Sequence, residues 1–419
     1  VIKKVHVKEL QKGMFVSAID RHWFDTPFPT HRFRIKSKHQ IEQLRKCCQY
    51  VSIDTEKSTV IDSDSDISQL RSSTKTLAKE AIKPPAEKNE KRAAQKQWKE
   101  ELNQCKTLYL ESRTVLNNVL KDVRLGRSLN TEKTKEVIQS LTISIVRHPD
   151  SMLFLAQLKE KGYDLAQKSV NVCILTLTFA RHIGIPKNKL EAIGLGALLH
   201  DIGMVHVPKD ILSKRHSLTP SDRKLLKMHP KFGLDIMAKA MDLPEEVREI
   251  VAAHHERMDG SGYPKGLKDR QISLFARMVA ITSVYEAMTR ERYYKTAVSP
   301  SRALQTLYNL RHKSLDPRLV EKFIQALGVY PVGCLVKTND GKIAIVKAAS
   351  ETNRSRPVLQ LLLDSKLNHY KEASYLDLCG VENSSIKIVS TCDLSDPRIS
   401  VLIEPIIDEL HTTSSGYRK

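Results

Sequence analysis

Between residues 151 and 328 nearly every stretch places its apolar residues three and four apart, the spacing that puts them on one face of a helix. The pattern predicts helices over 170–183, 187–200, 221–240, 244–253, 274–289 and 300–310. Pro220-Ser221-Asp222 and Ser299-Pro300-Ser301 supply the capping residues and early prolines that open helices. Upstream, Leu102, Leu108, Val115, Leu116, Val119, Leu120 and Val123 recur at the same period, followed by Val137, Ile138, Leu141 and Ile145. Helices therefore lead into the main domain from 97 to 150.

The two ends follow a different rhythm. Residues 1–61 hold short runs with strand character, Lys4-Val5-His6-Val7 and Tyr50-Val51-Ser52-Ile53-Asp54, with turn signals at Lys12-Gly13-Met14 and Thr26-Pro27-Phe28-Pro29. Residues 62–96 are rich in Ser, Asp, Lys, Glu and Ala around Pro84-Pro85 and offer little to bury, which reads as a charged linker, helical at its far end. After Tyr330-Pro331, Gly333 to Lys337 and Ile343 to Lys347 flank Asn339-Asp340-Gly341 as a β-hairpin, and Val358 to Leu363 adds a strand. The expected fold is mainly α. A helical domain over 151–330 is flanked by a β-rich N-terminal module (1–61) and a β-rich C-terminal appendage (331–419), which ends in a polar, disordered tail.

Composition narrows the function. With 419 residues and 41% hydrophobic content the chain can bury a large core and should form two or three domains. A formal net charge of +20 implies attraction to polyanions: nucleic acid, anionic lipid or a phosphorylated small ligand. Aromatic content of 5% and the lack of finger or zipper spacing argue against nucleic acid. Seven scattered cysteines, no apolar run of membrane-spanning length and no signal-peptide pattern lead to the expectation of a soluble, cytoplasmic protein.

The chemistry concentrates in two places. His200-Asp201 ends an apolar helical pattern, and residues 254–264 read His-His-Glu-Arg-Met-Asp-Gly-Ser-Gly-Tyr-Pro. Three imidazoles and a carboxylate brought together suit a first-row divalent cation, and the glycine-rich turn lets backbone approach a ligand closely.

These residues resemble the HD-GYP family, whose two motifs are matched by His200-Asp201 and Gly262-Tyr263-Pro264. The resemblance runs from about 160 to 330. It takes in Gly196-Ala197-Leu198-Leu199-His200-Asp201-Ile202-Gly203, His229-Pro230 with Gly233, and Phe275-Ala276-Arg277-Met278-Val279-Ala280-Ile281. Residues 1–60 look like the small module found before many such domains. The resemblance implies bacterial second-messenger signalling through a metal-dependent phosphodiesterase that opens cyclic di-GMP or cyclic GMP-AMP, a choice left open here.

In the family the equivalent of Asp201 bridges the metals, His200 pairs with it, and His229, His254 and His255 match the second metal position. Arg292 and Lys295 match basic residues that contact the dinucleotide, with Gly262 and Tyr263 beside them; Tyr263 is as well suited to packing the turn. His148, His182, His206 and His216 have no matching context and read as surface or capping residues.

Three positions depart from the family. Lys168 stands where a histidine is expected, Ser283 where an aspartate is expected, and Met204 where a lysine usually follows the motif. Lys168, His200, Asp201 and Ser283 would line the first metal position. An ammonium about 4 Å from a dication is repelled by about 8 kcal/mol, twice the unit-charge figure at an effective dielectric of 20. The expectation is that the Lys168 ammonium replaces the first metal, pairing with Asp201 and Asp164, and that the chain holds fewer iron, manganese or similar ions than the family's two or three. An incidental surface lysine is the alternative. Asp164 matches a third-ion position in some members, or forms an i, i+4 pair with Lys168.

Two functional readings remain. In one, Asp201 and Lys168 act in hydrolysis of a cyclic dinucleotide. In the other, a catalytically degenerate domain serves as a cyclic-dinucleotide receptor or protein-interaction module, signalling to a protein partner, with a homodimer open to either. Association of the basic linker with a membrane surface or nucleic acid is a weaker third.

Overall fold

The structure, a computed structural model, describes residues 2–19, 33–35, 37–48, 50–54, 86–157, 164–212, 214, 217–240, 242–290, 298–350, 353, 355–392 and 401. The chain divides into two compact units, Val1–Lys99 and Glu100–Lys419. In the first, strands β1 (Ile2–His6), β2 (Phe15–Ile19), β3 (Phe33–Arg34) and β4 (Tyr50–Asp54) form an antiparallel sheet in the order β1-β4-β2-β3. Helix α1 (Lys38–Cys47) lies between β3 and β4, opened by a Ser37–Gln40 capping box. Its Ile41 and Leu44 join Val7, Val16, Val51 and Ile53 in a small core. The strand pattern predicted β1 and β4, but α1 was not foreseen. The Thr26 to Pro29 turn and most of the linker lie outside the described residues.

Helix α2 (Ala86–Arg124) begins within the charged stretch and is followed by α3 (Thr131–Arg147) and α4 (Pro149–Gln157). Helix α5 (Leu165–His182) is the axis of the second unit: every residue from Ala166 to Ala180 is buried, as expected of a helix surrounded on all sides. It packs against α4, α6 (Lys187–Leu199), α11 (Leu274–Thr289) and α13 (Pro317–Leu327). Between these lie α7 (Lys209–Leu212), α8 (Pro220–Leu226), α9 (His229–Met237), α10 (Glu245–Ala253) and α12 (Pro300–Leu310). Among the described residues no helix is long and apolar enough to cross a membrane.

One helix expected from the pattern is two. The apolar period from 221 to 240 runs on unbroken, yet α8 stops at Leu226 and α9 restarts at His229. Pro230 lacks the amide a continuous helix would need there and suits a helix's first turn instead. The break makes His229 the first residue of α9.

The C-terminal sheet runs β8-β7-β6-β5-β9, all antiparallel, from β5 (Leu335–Thr338), β6 (Ile343–Ala348), β7 (Val358–Leu363), β8 (His369–Asp377) and β9 (Ile388–Thr391). The Asp340-Gly341 hairpin is present, with the Thr338 amide donating to Lys342 O at 3.0 Å. Strands β8 and β9 lacked a sequence signal. The polar tail from 402 lies outside the described residues.

Candidate metal centre

Three chain segments deliver the four residues of the centre, each at a helix end. Asp201 follows α6 and opens the 3-10 turn Ile202–His206, His229 starts α9, and His254 and His255 follow α10. Gly203 lets the turn and α9 meet: a Cβ there would lie 1.9 Å from the His229 carbonyl oxygen and 2.5 Å from the Gly233 nitrogen. No other residue fits without moving backbone.

Three imidazoles are oriented by backbone carbonyls. Nδ1 of His200 lies 2.8 Å from Ala197 O, Nδ1 of His229 lies 2.7 Å from Leu226 O, and Nδ1 of His254 lies 3.1 Å from Val251 O. A carbonyl can only accept, so each Nδ1 carries the proton and each Nε2 presents a lone pair. His229 Nε2, His254 Nε2 and Asp201 Oδ1 then converge with separations of 3.2 Å between the histidines and 3.2 and 3.5 Å to the carboxylate.

Three acceptors without a shared proton repel one another unless a cation stands between them. Ligand bonds of about 2.1 Å in a tetrahedral arrangement give edges of about 3.4 Å, close to these spacings. His255 completes the group: ligand atoms of Asp201, His229, His254 and His255 all lie within 4.8 Å of one another. Asp201 Oδ1 and His200 Nε2 are also buried without a hydrogen-bond partner. The residues fit one divalent ion.

Electrostatics favour the ligand forms. Burial pushes the Asp201 carboxyl up, but its neighbours His200 and Lys168 outweigh it, and the carboxyl lies well below its ordinary range. Burial brings His254 down to about 3. His255 falls well below its usual value through burial and the nearby His254 and His229. Both stay neutral at physiological pH.

Lys168, 8% exposed, contacts the other carboxylate oxygen, Asp201 Oδ2. His200 Nε2 lies 3.3 Å from that same oxygen. The expected partnership of Lys168 with Asp201 is therefore formed, and the surface-lysine alternative is not. Asp164 does not join it. Its Oδ1 caps α5 through the Gln167 amide at 3.1 Å, and its Oδ2 pairs with Arg113 Nη2 at 2.6 Å. As the N-cap residue, Asp164 commits its carboxylate to a free amide of the first turn rather than to the side chain at i+4. Ser283 is buried on α11, and Met204, where the family has lysine, is half-buried.

The loop after His255 is fastened by a residue that appeared only as context in the motif. Glu256, 2% exposed, accepts from the Lys265 amide at 2.7 Å and the Leu267 amide at 3.0 Å. Gly262 lies against this base, where a Cβ would come within 2.5 Å of Glu256 Cα and Arg257 N. Tyr263 stacks on His255, with centroids 4.6 Å apart and planes at 17°, and Lys227 Nζ stands 5.2 Å above the Tyr263 ring. Arg292 and Lys295 lie outside the described residues. His206 is exposed, with Phe232 edge-on at 6.0 Å, and His148 Nδ1 lies 3.3 Å from Glu101.

Residues 152–319, the helices that build this centre, match the HD domain family, and residues 2–134 match a domain of unknown function. The cyclic di-GMP phosphodiesterase PA4108 of Pseudomonas aeruginosa is 31% identical over 348 residues, 83% of this chain and 81% of that protein. The cyclic di-GMP phosphodiesterase response regulator RpfG of Xanthomonas campestris is 35% identical over 147 residues, 35% of this chain and 39% of its own length. The 3'3'-cGAMP-specific phosphodiesterase 3 of Vibrio cholerae is 30% identical over 166 residues, 40% of this chain and 36% of its own. The first likeness is longer than either unit and so takes in residues of both. On this extent of similarity, the chain belongs to the HD-GYP family.

Proposed function

We propose that the chain hydrolyses a phosphodiester of a cyclic dinucleotide, cyclic di-GMP first among them, and so acts in the cytoplasm on a bacterial second messenger. The observation that carries this reading is the convergence of His229 Nε2, His254 Nε2 and Asp201 Oδ1 as buried lone pairs with no proton between them. A divalent iron, manganese or similar ion held by Asp201, His229, His254 and His255 would supply the Lewis acidity that activates water near neutral pH and offsets phosphate charge.

The chain's own residues do the rest. Ala197, Leu226 and Val251 carbonyls hold the imidazoles in the donor tautomer. Tyr263 covers His255, and Lys227 adds positive charge above it. Arg292 and Lys295 are the basic residues proposed to take the dinucleotide. In the reaction a water oxygen bonds to phosphorus, the phosphorus–O3′ bond breaks, and the water's proton ends on the departing hydroxyl, leaving a linear dinucleotide.

The test is chromatographic: native chain with manganese(II) converts cyclic di-GMP to its linear product, and His254→Ala lowers that rate on the order of 100-fold or more. Parallel assays with 3′3′-cGAMP decide substrate preference. The Lys168 contact with Asp201 favours the receptor reading; tight dinucleotide binding with no linear product from the native chain would establish it and overturn hydrolysis.

A further inference from the structure

The Asp201 carboxylate has two sides. Oδ1 faces His229 and His254, and Oδ2 faces Lys168 and His200. On the Oδ2 side the His200 Nε2 lone pair is buried without a hydrogen-bond partner, so that side also offers two donor atoms of the kind a metal takes. What stands against them is an ammonium, which has three protons and no lone pair. It can replace an ion there, but it cannot bind one.

The ammonium is held in place by its helix. Lys168 lies one turn into α5, which is buried on all sides, and its side chain is 10% exposed. The start of α5 is fixed from three directions: Asp164 caps it, Arg113 pairs with Asp164, and Arg290 Nη1 donates to the Asp164 carbonyl at 3.3 Å. Swinging Lys168 away would leave Asp201 Oδ2 and a buried cation unpaired, which is costly in a site closed to water.

We infer that Lys168 is a built-in cation that closes the Oδ2 side of Asp201 to metal, so that the chain holds one divalent ion where the same carboxylate and histidines would otherwise hold two. The inference rests on reading Asp201, His229, His254 and His255 as a metal centre. Lys168 acts through Asp201 as a positioning residue. It supplies a fixed charge beside the ion, and metal occupancy therefore does not depend on filling a second position.

Equilibrium dialysis of the full chain against manganese(II), with metal counted by mass spectrometry and the spin state read by electron paramagnetic resonance, tests this without using turnover. The native chain should retain one manganese with a mononuclear signal, and Lys168→Arg, which keeps the charge, should do the same. Lys168→His should retain two, with the signal of a coupled pair. Two ions in the native chain, or one in a Lys168→His protein that melts cooperatively, overturns the inference and leaves the metal centre standing. If Lys168→His does not fold, the native count still decides. A native chain that binds no more manganese than His255→Ala overturns the metal centre itself, and the inference with it.

Discussion

Asp201 and Gly203 show how few atoms decide this centre. Asp201 is the only carboxylate in the group of four ligands, and its two oxygens face different partners, imidazole nitrogens at Oδ1 and the Lys168 ammonium at Oδ2. Gly203 contributes nothing but the space that brings His229 to it. Gly203→Ala should destabilise the chain by about 1–3 kcal/mol, the usual range for forcing a group into a packed interior. It should also weaken manganese binding, because the clash is with the His229 backbone. Denaturant unfolding and titration calorimetry on one preparation check both; a loss of stability with unchanged metal affinity would show that the α9 start moves independently of the His229 ring.

Much at this scale was legible. The resemblance to the HD-GYP family pointed to Asp201, His229, His254 and His255 and to Lys168 beside them, and the structure brings these five side chains together. The carbonyls that orient the rings were not legible, since every residue has one and only the fold aims it. Nor was the Arg113–Asp164 pair, which joins residues 51 apart in sequence.

At the scale of elements, the α8–α9 break is where the periodic pattern misled. Hydrophobic spacing reports which face is buried, and it persists across a kink that keeps that face; Pro230 was the local sign that the hydrogen bonding did not. Helices α1 and α13 and strands β8 and β9 were missed for a related reason, their short patterns being ambiguous until a neighbour buries them.

The start of α8 is set by a capping box between Thr219 and Asp222, reinforced by Lys214 Nζ on Asp222 Oδ2 at 2.5 Å. The Lys214 hydrogen bond, followed by those at Thr219, takes the Asp222 carboxyl down to about 2 from 3.8. The sign follows: a depressed folded value means the contribution to stability is full above 3.8 and is lost as pH falls through about 2. A carboxyl titration followed by NMR should find Asp222 near that lower value, and Lys214→Ala should return it upward. A midpoint unmoved by Lys214→Ala would leave the cap alone responsible.

At the scale of the whole molecule, the sequence predicted a helical domain with β-containing ends, and that is the architecture found. The net charge of +20 gives it a long-range field suited to a phosphate-bearing ligand. Attraction of this kind is screened within about 8 Å at physiological ionic strength. KM for cyclic di-GMP should therefore rise several-fold between low and physiological salt while kcat stays level. Steady-state kinetics across a salt series measures this, and a flat KM would assign recognition to short-range contacts alone.

The grip of Glu256 on the Lys265 and Leu267 amides carries a further consequence for that field. Both of its oxygens are committed to backbone, so the acid nearest the ligands contributes a clasp rather than a donor atom. The centre is left with a single anionic ligand, Asp201, whose charge the Lys168 ammonium already balances. A dication bound there would keep its full double charge, the complement of a ring with two phosphodiesters.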